Sequence, residues 1–273
     1  MPFAEVNNIK ICYEIHGEGY PLILIHGYDA KKENWIAQIS SLSENFKVIT
    51  IDCRSSGKSD RPEEPYTMDA HIEDLKGLMD FLKIDKANLM GHSMGGWIIQ
   101  NFVLKYPERV NKLVLVGTNH KGAGIHVLKG TLLKEAETRR NNPSQAFFNH
   151  ARLMHHQKFR KEMEANPSKK FHGLWSPEDL IKESVIDEKM PRDLENLALA
   201  GETHNTLEKL NTIKNPTLIL AGSHDRMSPK IVSEQMHEKF PNSTLKIISN
   251  AGHRLFLSKA PEVNQIILDF LKD

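Results

Sequence analysis

The rhythm of apolar and polar positions changes along the chain, and each change marks a different kind of element. Phe3–Val6 and Ile9–Ile15, joined at Asn7-Asn8, predict an antiparallel hairpin. Short runs rich in apolar residues follow at 22–25, 48–51, 87–90 and 217–222, and 112–116 and 244–249, each with one lysine, read as further strands. Runs of this length without polar interruption suit strands buried on both faces. Helical spacing fills the gaps between them, near Glu33–Leu42, over Thr67–Leu82 and over Gly96–Lys105. In Thr67–Leu82 the residues Met68, Ile72, Leu75, Met79 and Leu82 fall on one face, with Asp69, Glu73, Asp74 and Asp80 among the polar positions. Strands alternating with helices predict an α/β fold, a mostly parallel central sheet flanked by helices.

From about Asn119 to Glu202 the β-branched runs vanish. Helix-forming, charged stretches replace them at Leu128–Arg140, Ser144–Glu164, Glu178–Ile186 and Arg192–Ala200, and Pro143, Pro167, Pro177 and Pro191 punctuate them at sensible helix starts. This predicts an inserted helical cap over 120–205, lying on a core made of 1–119 and 206–273. The cap's apolar residues must divide between packing on the core and lining a pocket. Phe148 and Trp175 are candidate substrate-binding residues.

Candidate chemistry enters at Gly91-His92-Ser93-Met94-Gly95, between the apolar run ending at Met90 and a helical stretch. A Gly-x-Ser-x-Gly pentapeptide between a strand and a helix is a nucleophile elbow, whose turn is too sharp for most neighbouring side chains and leaves the serine hydroxyl exposed. The N–H of Met94 then points at the oxygen of a carbonyl that Ser93 attacks. A serine hydroxyl is a weak nucleophile, so a base must take its proton and a carboxylate must orient that base. Asp225 follows the strand 217–222, and His253 follows the strand 244–249, so both lie in loops at the carboxyl ends of strands, where open α/β sheets place ligands. The loop His26-Gly27-Tyr28, after 22–25, supplies a second oxyanion donor in the N–H of Tyr28. His26 precedes the nucleophile and braces that loop. Asp52 and Asp60, also near a strand end, are expected to brace loops through backbone hydrogen bonds.

These motifs together resemble the α/β-hydrolase family. Besides the segments above, Asp52-Cys-Arg-Ser-Ser-Gly-Lys-Ser-Asp60 is similar to the family's Asp-x-Arg-Gly-x-Gly-x-Ser-Asp loop, with Ser55 where glycine is usual. Trp35 also fits, as does Gly222-x-x-Asp225-x-x-x-Pro229, whereas Ser258 stands where a glutamate is often found. The resemblance covers both ends of the chain and lapses in the middle third. It implies an α/β-hydrolase fold with a variable cap, and a carboxylesterase-like serine hydrolase.

Composition narrows the remaining choices. In 273 residues, 36 Lys and Arg face 35 Asp and Glu, a formal charge of +1, so nothing suggests a nucleic-acid or acidic-membrane partner. No secretory signal or membrane-spanning run is visible, and a cytoplasmic location is expected. Cys12 and Cys53 read as small core residues. Of 14 histidines, His150, His155, His156 and His172 cluster in the cap, without an H-E-x-x-H spacing. They read as solvated surface, with no metal and no cofactor.

The expected activity is hydrolysis of carboxylic esters of small to medium acyl chain through Ser93, His253, Asp225 and an acyl-enzyme. Carbon–carbon bond hydrolases, enol-lactonases and cofactor-free haloperoxidases share the scaffold. A slow-turnover ligand receptor that keeps the triad is a further alternative.

Overall fold

The computed structural model describes residues 1–122, 130, 134–135, 137–186 and 190–273. Its strands are β1 (Phe3–Val6), β2 (Ile9–His16), β3 (Tyr20–Ile25), β4 (Phe46–Ile51), β5 (Ala87–His92), β6 (Val110–Val116), β7 (Thr217–Gly222) and β8 (Ser243–Ile248). They form one eight-stranded sheet in the order β1-β2-β4-β3-β5-β6-β7-β8. The first two strands pair antiparallel, and β3 to β8 run parallel. At the β1–β2 turn both Asn7 (φ 46°) and Asn8 (φ 60°) are left-handed, the conformation a tight hairpin needs and asparagine tolerates.

Alternate residues of the central strands feed two cores. Ile23, Ile25 and Leu89 pack with α2 (Met68–Phe81) and α3 (Met94–Lys105) through Leu75, Ile98 and Phe102. Leu22, Leu24 and Met90 face the other way, towards Trp35, α1 (Ile36–Ser43) and the C-terminal helix through Leu42, Val263 and Ile267. A fully buried Leu or Ile contributes roughly 1.5–3 kcal/mol, so two such layers hold the sheet firmly from both sides.

The strand ends are in register. Ile25 lies opposite Gly91, His92 opposite Val116, and Gly222 opposite Ile248, which brings the loops that follow to one edge. That edge has a topological switch point, because β4 lies on one side of β3 and β5 on the other.

Between β6 and β7 the described residues form α4 (Pro143–Met154), α5 (Gln157–Ala165), α6 (Pro177–Ile186) and α7 (Pro191–Glu202). The stretch Leu128–Arg140 falls mostly outside the described residues. The single helix expected over Ser144–Glu164 is two helices, because His155 (φ −126°, ψ 150°) and His156 (φ −59°, ψ 142°) are extended. The cause is tertiary: the N–H of Arg254 donates to the Met154 carbonyl at 3.0 Å. A Cβ on Gly252 would stand 2.7 Å from that carbonyl oxygen and 3.0 Å from the Cα of His155, so glycine permits the contact. Polar ties bind these helices to the core: Tyr28 Oη donates to the Leu194 carbonyl (2.6 Å), and Arg61 pairs with Asp193 (2.9 Å). Trp175 is fully buried among Phe159 and Phe171. After β7 come α8 (Lys230–Lys239), α9 (Leu255–Ser258) and α10 (Ala260–Lys272).

Candidate active site

Ser93 joins β5 to α3 with φ 53° and ψ −118°, a conformation that non-glycine residues adopt only where the surroundings impose it. Its N–H donates to the Val116 carbonyl (3.0 Å), and its own carbonyl accepts from Gly96 N–H (2.9 Å) and Thr118 Oγ1 (2.7 Å). The turn also presses against β3, since a Cβ on Gly95 would fall 2.1 Å from the Ile25 carbonyl oxygen. Packing against two neighbouring strands thus holds the serine in its strained turn.

The loops after β7 and β8 are tied to each other before either reaches the serine. Ser223 Oγ accepts from the N–H of Asn250 (2.9 Å), and His224 N–H donates to the Ala251 carbonyl (2.9 Å). They bring His253 Nδ1 to 2.9 Å from Asp225 Oδ2, both residues buried. The other oxygen, Oδ1, accepts the N–H groups of Met227 and Ser228 at 2.8 Å each. Asp225 is therefore fixed in place, and its Oδ2 faces the Nδ1–H of the imidazole. His92 lies against His253, ring centres 4.6 Å apart, with its Nε2 3.2 Å from the His253 carbonyl oxygen. Burial, with the neighbouring His253 and Arg254 adding to it, holds the His92 pKa well below its ordinary value, so this ring is neutral.

Ser93 and His253 line one cavity with Tyr28, His150, Met154 and Arg254. Its volume is about 40 Å³, room for roughly three waters at 10–15 Å³ each. Met94 opens α3, so its N–H has no acceptor within the helix, and Tyr28 reaches the same cavity from the loop after β3. A second cavity of about 80 Å³ adjoins the first and shares Ala30, His150 and Arg254 with it. Its lining is charged: Asp29 with Arg139 at 2.9 Å, and Lys31 with Glu183 at 3.2 Å.

The structure thus brings together Ser93, His253, Asp225 and Tyr28 from separate loops. His26 braces, with its Nε2 accepting the Cys53 N–H (3.0 Å) and its Nδ1 bonded to the Gly27 carbonyl (2.8 Å). Asp52 accepts from the N–H groups of Lys32 (2.9 Å) and Lys58 (3.0 Å), and Asp60 from that of Lys10 (2.8 Å).

Two groups of residues sit elsewhere than the sequence pattern suggests. Phe148 and Trp175 are not among the residues lining either cavity: Trp175 is spent on aromatic packing, and Phe148 is half-buried against Phe147, which itself lines the second cavity. Nor are the cap histidines all solvated. His155 is buried behind Gly252, and His150 forms part of both cavity walls. His150, Met154 and Arg254 carry no motif that would have marked them, although Arg254 directly follows His253. Among the described residues no group of three or more His, Cys, Asp or Glu is arranged to hold a metal, and Cys12 and Cys53 are buried free thiols. No described helix is long and apolar enough to cross a membrane.

Comparison with known proteins bears on the fold. The chain is 28% identical to a 2-hydroxy-6-oxononadienedioate/2-hydroxy-6-oxononatrienedioate hydrolase of Paraburkholderia phymatum, covering 96% of this chain and 91% of that one. A thermophilic esterase from Thermogutta terrifontis superposes with a TM-score of 0.81 at 26% identity, over 99% of this chain and 97% of the other. A bromoperoxidase from Bacillus anthracis does so with a TM-score of 0.82 at 26% identity, over 100% and 99%. The family model for the alpha/beta hydrolase fold matches residues 20–260, and the chain belongs to that family.

Proposed function

We propose that this protein is a serine hydrolase that cleaves carboxylic esters of small to medium acyl chain. The observation that carries the reading is the His253–Asp225 pair at 2.9 Å, whose histidine shares one cavity with the strained Ser93. In the proposed cycle Asp225 keeps His253 in the tautomer with Nδ1 protonated, and His253 takes the Ser93 proton as Oγ attacks the ester carbonyl. The N–H groups of Tyr28 and Met94 receive the oxyanion, a donor pair whose members are each worth on the order of 10²–10³ in rate. His253 then protonates the departing alcohol. Water, deprotonated by the same histidine, attacks the acyl-enzyme, releasing the acid and regenerating the Ser93 hydroxyl.

In this reading 120–205 acts as the cap and 1–119 with 206–273 as the catalytic core. A cavity of about 40 Å³ under the cap favours small acyl groups, and the esterase from Thermogutta terrifontis has the same fold at 26% identity. The Paraburkholderia phymatum relative keeps a second reading in play, hydrolysis of an oxo-dienedioate on the same serine.

The test is a panel of p-nitrophenyl esters from acetate to octanoate, run beside a lactone and a vinylogous diketone. Turnover should be highest on the short esters. Ser93→Ala should abolish it while leaving the thermal midpoint nearly unchanged, and a serine-directed phosphonate should label Ser93 in the parent protein. Turnover above a few per cent of the parent in Ser93→Ala would overturn the mechanism, and turnover of the diketone alone would overturn the substrate class.

A further inference from the structure

Arg254 stands where the Ser93 cavity meets its charged neighbour, one residue beyond His253. The charged groups around it have direct partners. Arg139 holds Asp29, Lys31 holds Glu183, and Glu135 accepts from His150 Nδ1 at 3.0 Å. Among the described residues the Arg254 guanidinium itself makes no hydrogen bond or ion pair, though the charges of Asp29 and Glu135 act on it through space and Arg139 opposes them. Burial lowers its pKa to about 10, so it stays a cation at neutral pH.

A guanidinium offers five donors in a planar fork, and the half-buried Arg254 presents them at the cavity wall without a protein acceptor among the described residues. An oxyanion placed against the fork gains two parallel charge-assisted bonds. Asp29 and Glu135 are poor candidates for this partner, since each already faces another residue. The second cavity meets the Ser93 cavity at Arg254 and His150, so a substrate that extends from one into the other passes this side chain.

We propose that the substrates of this enzyme carry a carboxylate, which the adjoining cavity receives and Arg254 pairs with, so that the enzyme acts on esters of carboxylate-bearing molecules rather than on plain alkyl esters. The proposal rests on the serine-hydrolase reading for the reacting bond and adds the charged class of the substrate. Arg254 is then a specificity-determining residue.

The experiment compares matched pairs. On the acyl side, mono-(p-nitrophenyl) glutarate is set against its neutral methyl ester. On the alcohol side, 4-carboxyphenyl butyrate is set against its carboxamide. The parent protein should favour the anionic member of at least one pair by roughly tenfold or more in kcat/KM, the range a charge-assisted pair supplies. The ratio cancels any general loss of activity. Arg254→Gln should bring the ratio near one, and Arg254→Lys, which keeps the charge but loses the fork, should retain part of it. A parent without preference in either pair, or a preference unchanged in Arg254→Gln, would overturn the proposal.

A second readout does not depend on turnover. Calorimetry on Ser93→Ala should detect monomethyl glutarate, with dimethyl glutarate as control, and the signal should vanish in Ser93→Ala/Arg254→Gln. Should no ester be hydrolysed and Ser93 stay unlabelled, the hydrolase reading fails, while this titration still decides the anion site: saturable binding of the monoester lost with Arg254 supports it, and equal binding of both esters or of neither refutes it.

Discussion

Asp225 spends one carboxylate oxygen on His253 and the other on two backbone amides, so its position does not depend on the imidazole. Replacing it by asparagine keeps the shape but lets the amide present an N–H to Nδ1, which would leave the proton on Nε2, where the base should be free. Asp225→Asn is therefore expected to lower kcat by about 10⁴ on a short ester, measured at saturating substrate. A mild effect, with a different carboxylate proving essential, would mean the acid has been misassigned. As candidates, Ser93, His253 and Asp225 are legible in the sequence because each is announced by its own few neighbours. Ser55 was legible only in part. It stands where the family usually has glycine, and here it adopts φ 61°, held by its N–H to the Asp60 carbonyl (2.9 Å). The pocket wall was not legible: Phe148 and Trp175 looked suitable by size alone, whereas His150 and Arg254 reach the cavity through contacts between distant segments.

The break between α4 and α5 has the same origin. Nothing within Ser144–Glu164 stops a helix at Met154, and the stop is supplied from a hundred residues away by Arg254 N–H and by the missing side chain at Gly252. This contact joins the loop of the base to the inserted helices, so a disturbance there should reach both stability and turnover. Gly252→Ala forces a methyl group against backbone atoms, and the expected cost is about 1–3 kcal/mol, seen as a lower thermal midpoint together with a reduced kcat. A variant with both values unchanged would show that the helices move aside freely and that the contact does not govern the base. The strands and core helices, by contrast, matched their sequence patterns closely, because two-sided burial in a parallel sheet leaves a run of apolar residues that few other structures would tolerate.

Several histidines are buried as neutral rings, and this gives the whole molecule a pH dependence. Burial lowers His71 to about 3 and His204 to about 4, and pushes His92 and His155 well below the ordinary value. An unfolded histidine takes up its proton near 6.5, so below that pH the unfolded chain binds protons that the folded chain refuses. Stability is thus full above about 6.5 and falls as pH drops towards the folded values, by up to roughly 1.4 kcal/mol per pH unit for each such residue. Thermal midpoints measured from pH 7.5 to 5 should decline steadily, and His204→Asn should flatten the slope; a flat profile for the parent protein would refute this account. Periodicity and local motifs carried the layered α/β architecture, the edge on which the loops gather, and the choice of Ser93, His253 and Asp225 as candidates, because each is encoded by residues near one another in the chain. Only the folded molecule decided where the inserted helices break, which histidines are dry, and that His150 and Arg254, not Phe148 and Trp175, line the space beside Ser93. Those outcomes depend on which surfaces meet across the fold, and adjacency in sequence carries no record of that.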